Sequence, residues 1–304
     1  MASRDIETIR ALLEAEQTRG PLNLVELRKL YDGSTPMYPV PEGITIEPVD
    51  AGGVPAERVS GAVAVPGRTI LYLHGGGYVI GSPVQYRHLA GAIVEAAQAT
   101  LVMLDYRLAP EHPYPAAVED ALAAYRRLLE QGQNPAQLIV AGDSAGGGLT
   151  VSTLIRARDE GLALPAAAVL ISPWTDLAHT GDTLKTLAGR DPSFDEAVLV
   201  EMADHYLGGV DPTTPLASPL YADLSGLPPL LIQVGAEEML LDDSVRLDRR
   251  AREHGVESVL EVWEEMVHSW HFYYPQLEEG RAAILRLGAF IRAAVGSSTG
   301  TASA

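Results

Sequence analysis

The sequence predicts an α/β fold, with a mostly parallel central sheet flanked by helices and with a helical cap. From residue 69 onward, apolar runs of strand length alternate with longer segments of helical periodicity, which is the pattern of successive βαβ units. A chain of 304 residues is also long enough to bury roughly three quarters of its unfolded surface in one large domain. We therefore expect a single core domain over residues 46–295.

Six apolar runs are the predicted parallel strands: TILYLHG, TLVMLDY, QLIVAGDS, AAAVLISP, PLLIQVG and VLEVWE. Helices are expected at 86–97, 116–131, 146–160, 242–255 and 277–294. Helices of this length suit the crossovers that parallel strands need. Ahead of these units, the runs ITIEPV and ERVSGAVAV are separated by glycines and a proline, and they predict an antiparallel pair.

Three regions fall outside this alternation. Apolar residues at helical spacing predict two short helices within residues 1–45, which we expect to form an N-terminal cap. Between Trp174 and Pro228 the alternation lapses, and we expect a cap insertion at about 178–215 with a helix near 194–206. Residues 296–304 are small and polar, and they predict a flexible tail.

Composition excludes several classes of protein. A net charge of −18, from 22 Lys+Arg against 40 Asp+Glu, repels phosphate backbones, so we expect no nucleic-acid partner. With no cysteine, a thiolate nucleophile and cysteine-based metal sites are excluded. Acidic residues interrupt the N-terminus where a signal peptide would need an apolar core, and no apolar run reaches about 18 residues. The sequence thus predicts a soluble, cytoplasmic protein without membrane insertion.

The most informative segment is Gly142-Asp143-Ser144-Ala145-Gly146, which follows an apolar run and opens a helical one. A strand-to-helix turn this tight strains the serine backbone by about 1–3 kcal/mol, and flanking glycines avoid Cβ clashes. In that context Gly-x-Ser-x-Gly is typical of a nucleophile elbow with Ser144 as the nucleophile. The alternative is a glycine-rich turn without function. A P-loop is disfavoured because no Gly-Lys-Ser/Thr follows.

A second segment, His74-Gly75-Gly76-Gly77, also follows a strand. Hydrolysis of an ester creates an oxyanion, and each preorganised backbone N–H donor aimed at it contributes about 2.7–4 kcal/mol. We expect the amides of Gly76, Gly77 and Ala145 to be those donors, the alternative being a flexible turn. His74 is expected to orient the loop, since no second ligand lies at metal spacing.

The base and the acid should follow the serine in the order acid, then histidine. His268 fits the base because it follows the strand VLEVWE through a short loop, whereas His271 lies in an aromatic run typical of packing. The acid must accept the other imidazole N–H. We expect Glu238, three residues beyond Gly235, with Asp242 as the alternative.

These residues resemble the hormone-sensitive-lipase-like family of bacterial esterases, within the α/β-hydrolase superfamily. The resemblance covers about residues 69–275. It rests on LHGGGYVIGS, DYRLAPEHPYPAAVEDA, GDSAGGGL, SPWTDL and the spacing from a VGxxE segment to VH at 267 and 268. It implies an α/β-hydrolase fold whose cap combines the N-terminal helices with an inserted helical pair.

The resemblance implies that the family's nucleophile corresponds to Ser144 and its base to His268. It likewise implies oxyanion donors at Gly76, Gly77 and Ala145. Many members have Asp where this chain has Glu238, which leaves the acid open. The resemblance also implies short- or medium-chain acyl substrates and a homodimer formed through the strand VLEVWE or the adjoining helices. In the DYRLAPEHPYPAA segment we expect Arg107 to pair with Glu111.

The sequence therefore predicts a serine carboxylesterase that acts on a small-molecule ester through a Ser-His-acid triad and an acyl-enzyme. Neither a metal nor an organic cofactor is needed for that chemistry. A lactone hydrolase or deacetylase with the same machinery is the alternative enzyme. A non-catalytic small-molecule receptor is the alternative from another class, and the presence of His268 argues against it.

Overall fold

The computed structural model describes residues 5–17, 24–32 and 38–297. Within these ranges the strands are β1 Thr45–Asp50, β2 Pro55–Ser60, β3 Thr69–Leu73, β4 Thr100–Leu104, β5 Leu138–Asp143, β6 Ala167–Ile171, β7 Leu230–Gly235 and β8 Ser258–Trp263. The helices are α1 Asp5–Gln17, α2 Leu24–Asp32, α3 Pro83–Ala97, α4 Ala116–Glu130, α5 Ala145–Asp159, α6 Thr183–Thr186, α7 Glu196–Leu207, α8 Leu241–Glu253 and α9 Glu278–Ser297. The predicted strands and helices are confirmed to within a few residues at their ends.

The strands form one eight-stranded sheet in the order β1-β2-β4-β3-β5-β6-β7-β8. Strands β3 to β8 run parallel, while β1 and β2 form an antiparallel edge against β4. Each connection between successive parallel strands is long enough for a helical crossover, whereas β1 and β2 are joined by a short glycine-containing turn. The predicted mostly parallel sheet is therefore confirmed.

Helices cover both faces of the sheet, which explains why its central strands are apolar throughout. Along β3, Ile70 and Tyr72 belong to the core cluster that includes α3 and α9, and Leu71 and Leu73 belong to the cluster on the other face, which includes α4, α5 and α8. Successive side chains of a strand point to opposite faces, so a strand covered on both sides needs apolar residues at every position. The carboxyl ends of the parallel strands meet at one edge, where the candidate site lies.

The N-terminal helices and the inserted segment pack over this edge. Helix α1 buries Ile6 and Ile9 against Val267 and Trp270, in the loop after β8. Along the chain, helices α6 and α7 come between β6 and β7, and α7 is the helix expected near 194–206. Helix α9 continues through Ser297, so of the expected tail only residues 298–304 lie outside the described residues. Among the described helices, none is both long enough and apolar enough to cross a membrane.

The predicted ion pair of Arg107 with Glu111 is wrong. Arg107 pairs instead with Asp120 of α4, at 2.7 Å, and Glu111 pairs with Arg28 of α2, at 2.6 Å. Asp120 is buried and therefore needs a cationic partner, whereas Glu111 faces outward, where α2 can supply one. The position of α2 could not be predicted from the local sequence.

Candidate active site

Ser144 lies at the turn between β5 and α5, where strand changes to helix within one residue. Its backbone has φ 53° and ψ −122°, a strained conformation for a residue with a side chain. The turn is fixed because the Ser144 N–H donates to the Ile171 carbonyl at 2.8 Å, and the Ser144 carbonyl accepts from Gly147, Gly148 and Trp174. Ser144 is 9% exposed, so only a small part of it faces solvent.

The glycines on either side of Ser144 permit close contact between backbone segments. A Cβ on Gly142 would lie 2.3 Å from the Gly146 carbonyl oxygen, and one on Gly146 would lie 2.0 Å from the Leu73 carbonyl oxygen. Both obstacles are backbone atoms, which cannot rotate away. The Gly-x-Ser-x-Gly spacing therefore reflects packing of the turn against β3.

The loop after β3 carries the glycine run. Gly76 and Gly77 have φ 107° and 60°, a region that favours glycine. The Gly75 N–H donates to Tyr86 and Asp143, and is thus occupied. Among the described residues, by contrast, no protein acceptor is found for the Gly76, Gly77 or Ala145 amides. These three amides remain able to bind a ligand oxygen.

His74 stacks on Tyr106, with ring centroids 4.3 Å apart. Burial lowers the pKa of His74 to about 4, so the imidazole is neutral at pH 7. Its Nδ1 lies 2.7 Å from the Gly75 carbonyl oxygen, which can only accept, so Nδ1 carries the proton. This geometry fits a residue that orients the glycine loop.

Asp143, for which the sequence predicts no role, joins the glycine loop to the serine turn. Its carboxylate accepts hydrogen bonds from the Tyr72 hydroxyl at 3.0 Å, the Tyr86 hydroxyl at 2.9 Å and the Gly75 N–H at 3.0 Å. Burial raises the pKa of Asp143 to about 6, against the effect of these donors. The available signal was an acidic residue at the end of an otherwise apolar strand, directly before Ser144.

We expect Asp143→Asn to lower the free energy of unfolding by about 1–3 kcal/mol. All three hydrogen-bonding partners of Asp143 donate, so a carboxamide must turn its NH₂ group toward at least one donor. Urea denaturation would measure the loss. Tyr72→Phe is the matched control, because it removes one donor and should cost less. An Asp143→Asn variant as stable as the parent protein would contradict this account of the site.

His268 and Glu238 form a buried hydrogen-bonded pair. His268 Nδ1 lies 2.9 Å from Glu238 Oε2, and the exposed fractions of the two side chains are 10% and 0%. The other carboxylate oxygen, Oε1, accepts from the Ser172 hydroxyl and the Gly235 N–H, each at 2.6 Å. Three donors thus fix the Glu238 carboxylate beside the imidazole.

The alternative acid, Asp242, is engaged elsewhere. Its Oδ2 accepts from the Thr183 N–H of α6 at 3.1 Å, and the Asp242 N–H donates to the Thr183 hydroxyl at 3.0 Å. The neighbouring Asp243 binds the N–H groups of Thr175 and Asp176. Both carboxylates therefore organise the start of the inserted segment.

Negative charge surrounds the His268 imidazole. Burial alone would lower its pKa, but the hydrogen bond to Glu238 and the charges of Glu238, Asp191 and Asp143 raise it overall. The ring of Phe194 covers it edge-on, with centroids 4.8 Å apart. The competing His271 is fully buried and binds Gln233 at 2.8 Å, which agrees with its predicted packing role.

The sheet brings these groups to one edge. Ser144 follows β5, Glu238 follows β7 and His268 follows β8, while Ser172 follows β6 and hydrogen-bonds both to Glu238 and to the Ser269 N–H. A serine hydroxyl, an imidazole oriented by a carboxylate, and free backbone amides are the groups that acyl transfer requires. No cluster of three metal-ligating side chains occurs in the described parts of the chain.

Known proteins resemble this chain over nearly its whole length. Residues 70–272 match the family described as alpha/beta hydrolase fold. The chain is 50% identical over 301 residues to an acetyl-hydrolase of Streptomyces hygroscopicus, an alignment that covers 97% of this chain and 99% of that protein.

Two solved structures are similar as well. One is an esterase from the bacterial hormone-sensitive lipase (HSL) family, with a TM-score of 0.95, 44% identity, and coverage of 97% of this chain and 100% of that one. The other is EstE5 soaked by p-nitrophenyl butyrate, with a TM-score of 0.93, 46% identity and the same two coverages. The similarity therefore extends beyond the sheet to the helices that pack over the site.

Proposed function

The chain belongs to the alpha/beta hydrolase family that matches residues 70–272, and from this premise we propose that it is a serine carboxylesterase acting by acyl transfer. The resemblance to hormone-sensitive-lipase-like esterases and the α/β-hydrolase fold, both expected from the sequence, are confirmed by these similarities. The roles of individual residues in this reaction are our inference from the geometry.

In the proposed mechanism Ser144 Oγ attacks the ester carbonyl while His268 takes the hydroxyl proton. The same proton then passes to the leaving alcohol, and water resolves the acyl-enzyme by the reverse steps. Glu238 holds the imidazole and stabilises its protonated form. The observation that carries this assignment is the buried 2.9 Å hydrogen bond from His268 Nδ1 to Glu238, which leaves Nε2 for the serine.

The amides of Gly76, Gly77 and Ala145 would bind the oxyanion. Their lack of acceptors among the described residues supports this role. Ala145 is also the first residue of α5, and the positive end of a helix dipole favours negative charge there. Gly75 is not included, because its N–H already has two acceptors.

We propose that α1, α2 and the segment at about 178–215 form a cap that restricts the acyl chain. Two cap residues approach the reacting groups. Phe194 covers the His268 ring, and Met202 lies against Gly77, since a Cβ there would lie 2.2 Å from the Met202 sulfur. Short chains, from acetyl to butyryl, are the substrates that this cap favours, and the name of the Streptomyces relative, an acetyl-hydrolase, agrees.

A series of p-nitrophenyl esters tests the proposal. We expect kcat/KM to be highest between acetate and butyrate and to fall by about tenfold or more at decanoate, as follows from the proposed restriction of the acyl chain by the cap. The Ser144→Ala variant supplies the background rate. Turnover that matches this background would refute the esterase assignment, whereas a preference for long chains would refute only the restricting cap. Lactones in the same panel test the alternative substrate.

Two further proposals concern the whole protein. The first is a cytoplasmic location, which cell fractionation would test. A homodimer through β8 is supported because β8 is an edge strand with half-exposed valines at 259 and 262. Light scattering of the purified protein would give a monomer mass if the dimer proposal is wrong.

A further inference from the structure

A second buried carboxylate, Asp191, contacts the base from the inserted segment. Its Oδ2 accepts a hydrogen bond from the backbone N–H of His268 at 3.2 Å, while its Oδ1 accepts from the Ser193 N–H at 2.9 Å. Asp191 is 1% exposed. His268 is therefore held at two points by two carboxylates, Glu238 on the ring and Asp191 on the backbone.

Asp191 lacks the partner that usually accompanies a buried carboxylate. Within the described residues, no arginine or lysine lies at ion-pair distance from it, and the adjacent Arg190 pairs with Glu237 instead. Burial raises the pKa of Asp191, and the charge of His268 opposes that rise. A buried charge without a cation is destabilising unless another positive group compensates for it. The imidazolium of His268, formed during turnover, is the available group.

The segment around Asp191 is itself fixed to the base loop. Arg10 of α1 donates to the Arg190 carbonyl at 2.7 Å and to the Glu265 carbonyl at 2.9 Å. The same segment carries Phe194, which covers the imidazole. Helix α1 thus joins the inserted segment to the loop that carries His268, and the Asp191 side chain makes the same connection inside the protein.

We propose that Asp191 is a positioning residue, which fixes the His268 backbone and adds a second negative charge beside the imidazolium that forms during ester hydrolysis. The inference rests on the proposed function. It implies that the base is correctly placed only when the inserted segment is seated on the site.

Three carboxylates contribute most to the charge around His268: Glu238 after β7, Asp191 in the inserted segment and Asp143 at the end of β5. Burial lowers the pKa of His271, in the turn after His268, to about 3, so it is neutral at working pH. Removing the Asp191 charge disfavours the imidazolium, so the pKa of His268 should fall and the base should stay neutral to lower pH.

The test compares Asp191→Asn with Asp195→Asn. The second is the matched control, because Asp195 undergoes the same chemical change in the same segment but is exposed and only caps α7 through the Val198 N–H. For Asp191→Asn we expect the acid limb of kcat/KM for p-nitrophenyl butyrate to move down by about 0.5–1 pH unit, with kcat about tenfold lower and KM unchanged. Asp195→Asn should leave the acid limb and kcat unchanged.

A purely structural role would lower the melting temperature without moving the acid limb. Asp191→Ser is the second variant, with a smaller side chain that cannot strain the segment, and it should show the same shift. The proposal is wrong if a variant that keeps the parent melting temperature shows no shift in the acid limb of kcat/KM. Failure of the esterase assignment can be distinguished from failure of the Asp191 proposal, since in the first case the parent enzyme would show no turnover above that of Ser144→Ala.

Discussion

Ser144→Ala should lower kcat for p-nitrophenyl butyrate by about 10⁶-fold while the fold is retained. Without Oγ there is no nucleophile, and the base and the free amides of the glycine loop can only assist direct attack by water. The residual rate that such groups support in other serine hydrolases is about 10³–10⁴ over water. Steady-state kinetics give the loss, and a fluorophosphonate probe should label the parent protein but not the variant.

Ser144→Gly is the control that separates chemistry from folding. It removes the hydroxyl and also relieves the strained φ of 53°, a conformation that glycine adopts freely. We expect it to be as inactive as Ser144→Ala and more stable by about 1 kcal/mol, because the relief of strain exceeds the entropy that glycine loses on folding. If the probe labels either variant, the nucleophile is a side chain other than Ser144.

Glu238→Ala should lower kcat by about 10⁴-fold, whereas Asp242→Ala should change kcat by less than about tenfold. The first change removes the acceptor of the imidazole proton at 2.9 Å. The second removes only the contact of Asp242 with Thr183 at the start of α6. Parallel measurement of kcat and of the melting temperature distinguishes the two effects. The reverse order of activity losses would transfer the role of acid to Asp242.

Glu238→Gln refines this test because it keeps the size of the side chain. Its carbonyl oxygen can still accept from the Ser172 hydroxyl and the Gly235 N–H, so its NH₂ group must face His268 Nδ1. That arrangement forces the wrong tautomer, with the proton on Nε2, which cannot then accept the serine proton. We expect a loss close to that of Glu238→Ala, with the parent melting temperature. Near-normal turnover in this variant would argue against the tautomer role.

The local sequence was sufficient to predict the sheet and the serine turn. The strands are apolar because both faces are covered, as at Ile70 and Leu71, and such runs can be recognised without knowledge of tertiary contacts. The glycines around Ser144 are likewise required by contacts within one turn and with the neighbouring strand. The prediction of His268 as the base rests on its position after the last strand of the sheet.

The acid could not be decided in the same way. Glu238 and Asp242 lie four residues apart, and their roles depend on where α8 begins and on the position of Thr183 in a separate segment. Asp191 gave no usable signal because its partner is distant in sequence: Asp191 and His268 are 77 residues apart. Asp143 could be noticed at the end of an apolar strand, but that position does not indicate its partners Tyr72, Tyr86 and Gly75. The predicted pairing of Arg107 with Glu111 was wrong for a related reason, because Glu111 pairs with Arg28 of the remote helix α2.

The two carbonyls bound by Arg10 have a consequence for biosynthesis. Arg10 and Glu265 are 255 residues apart, and at about 5–20 residues per second a ribosome needs roughly 13–50 s to cover that interval. Throughout this time the apolar side of the first helix, with Ile6 and Ile9, has no native surface to cover it. Helix α1 is thus made long before its final neighbours exist, and the nascent protein must be kept from aggregating until the segment around Glu265 emerges.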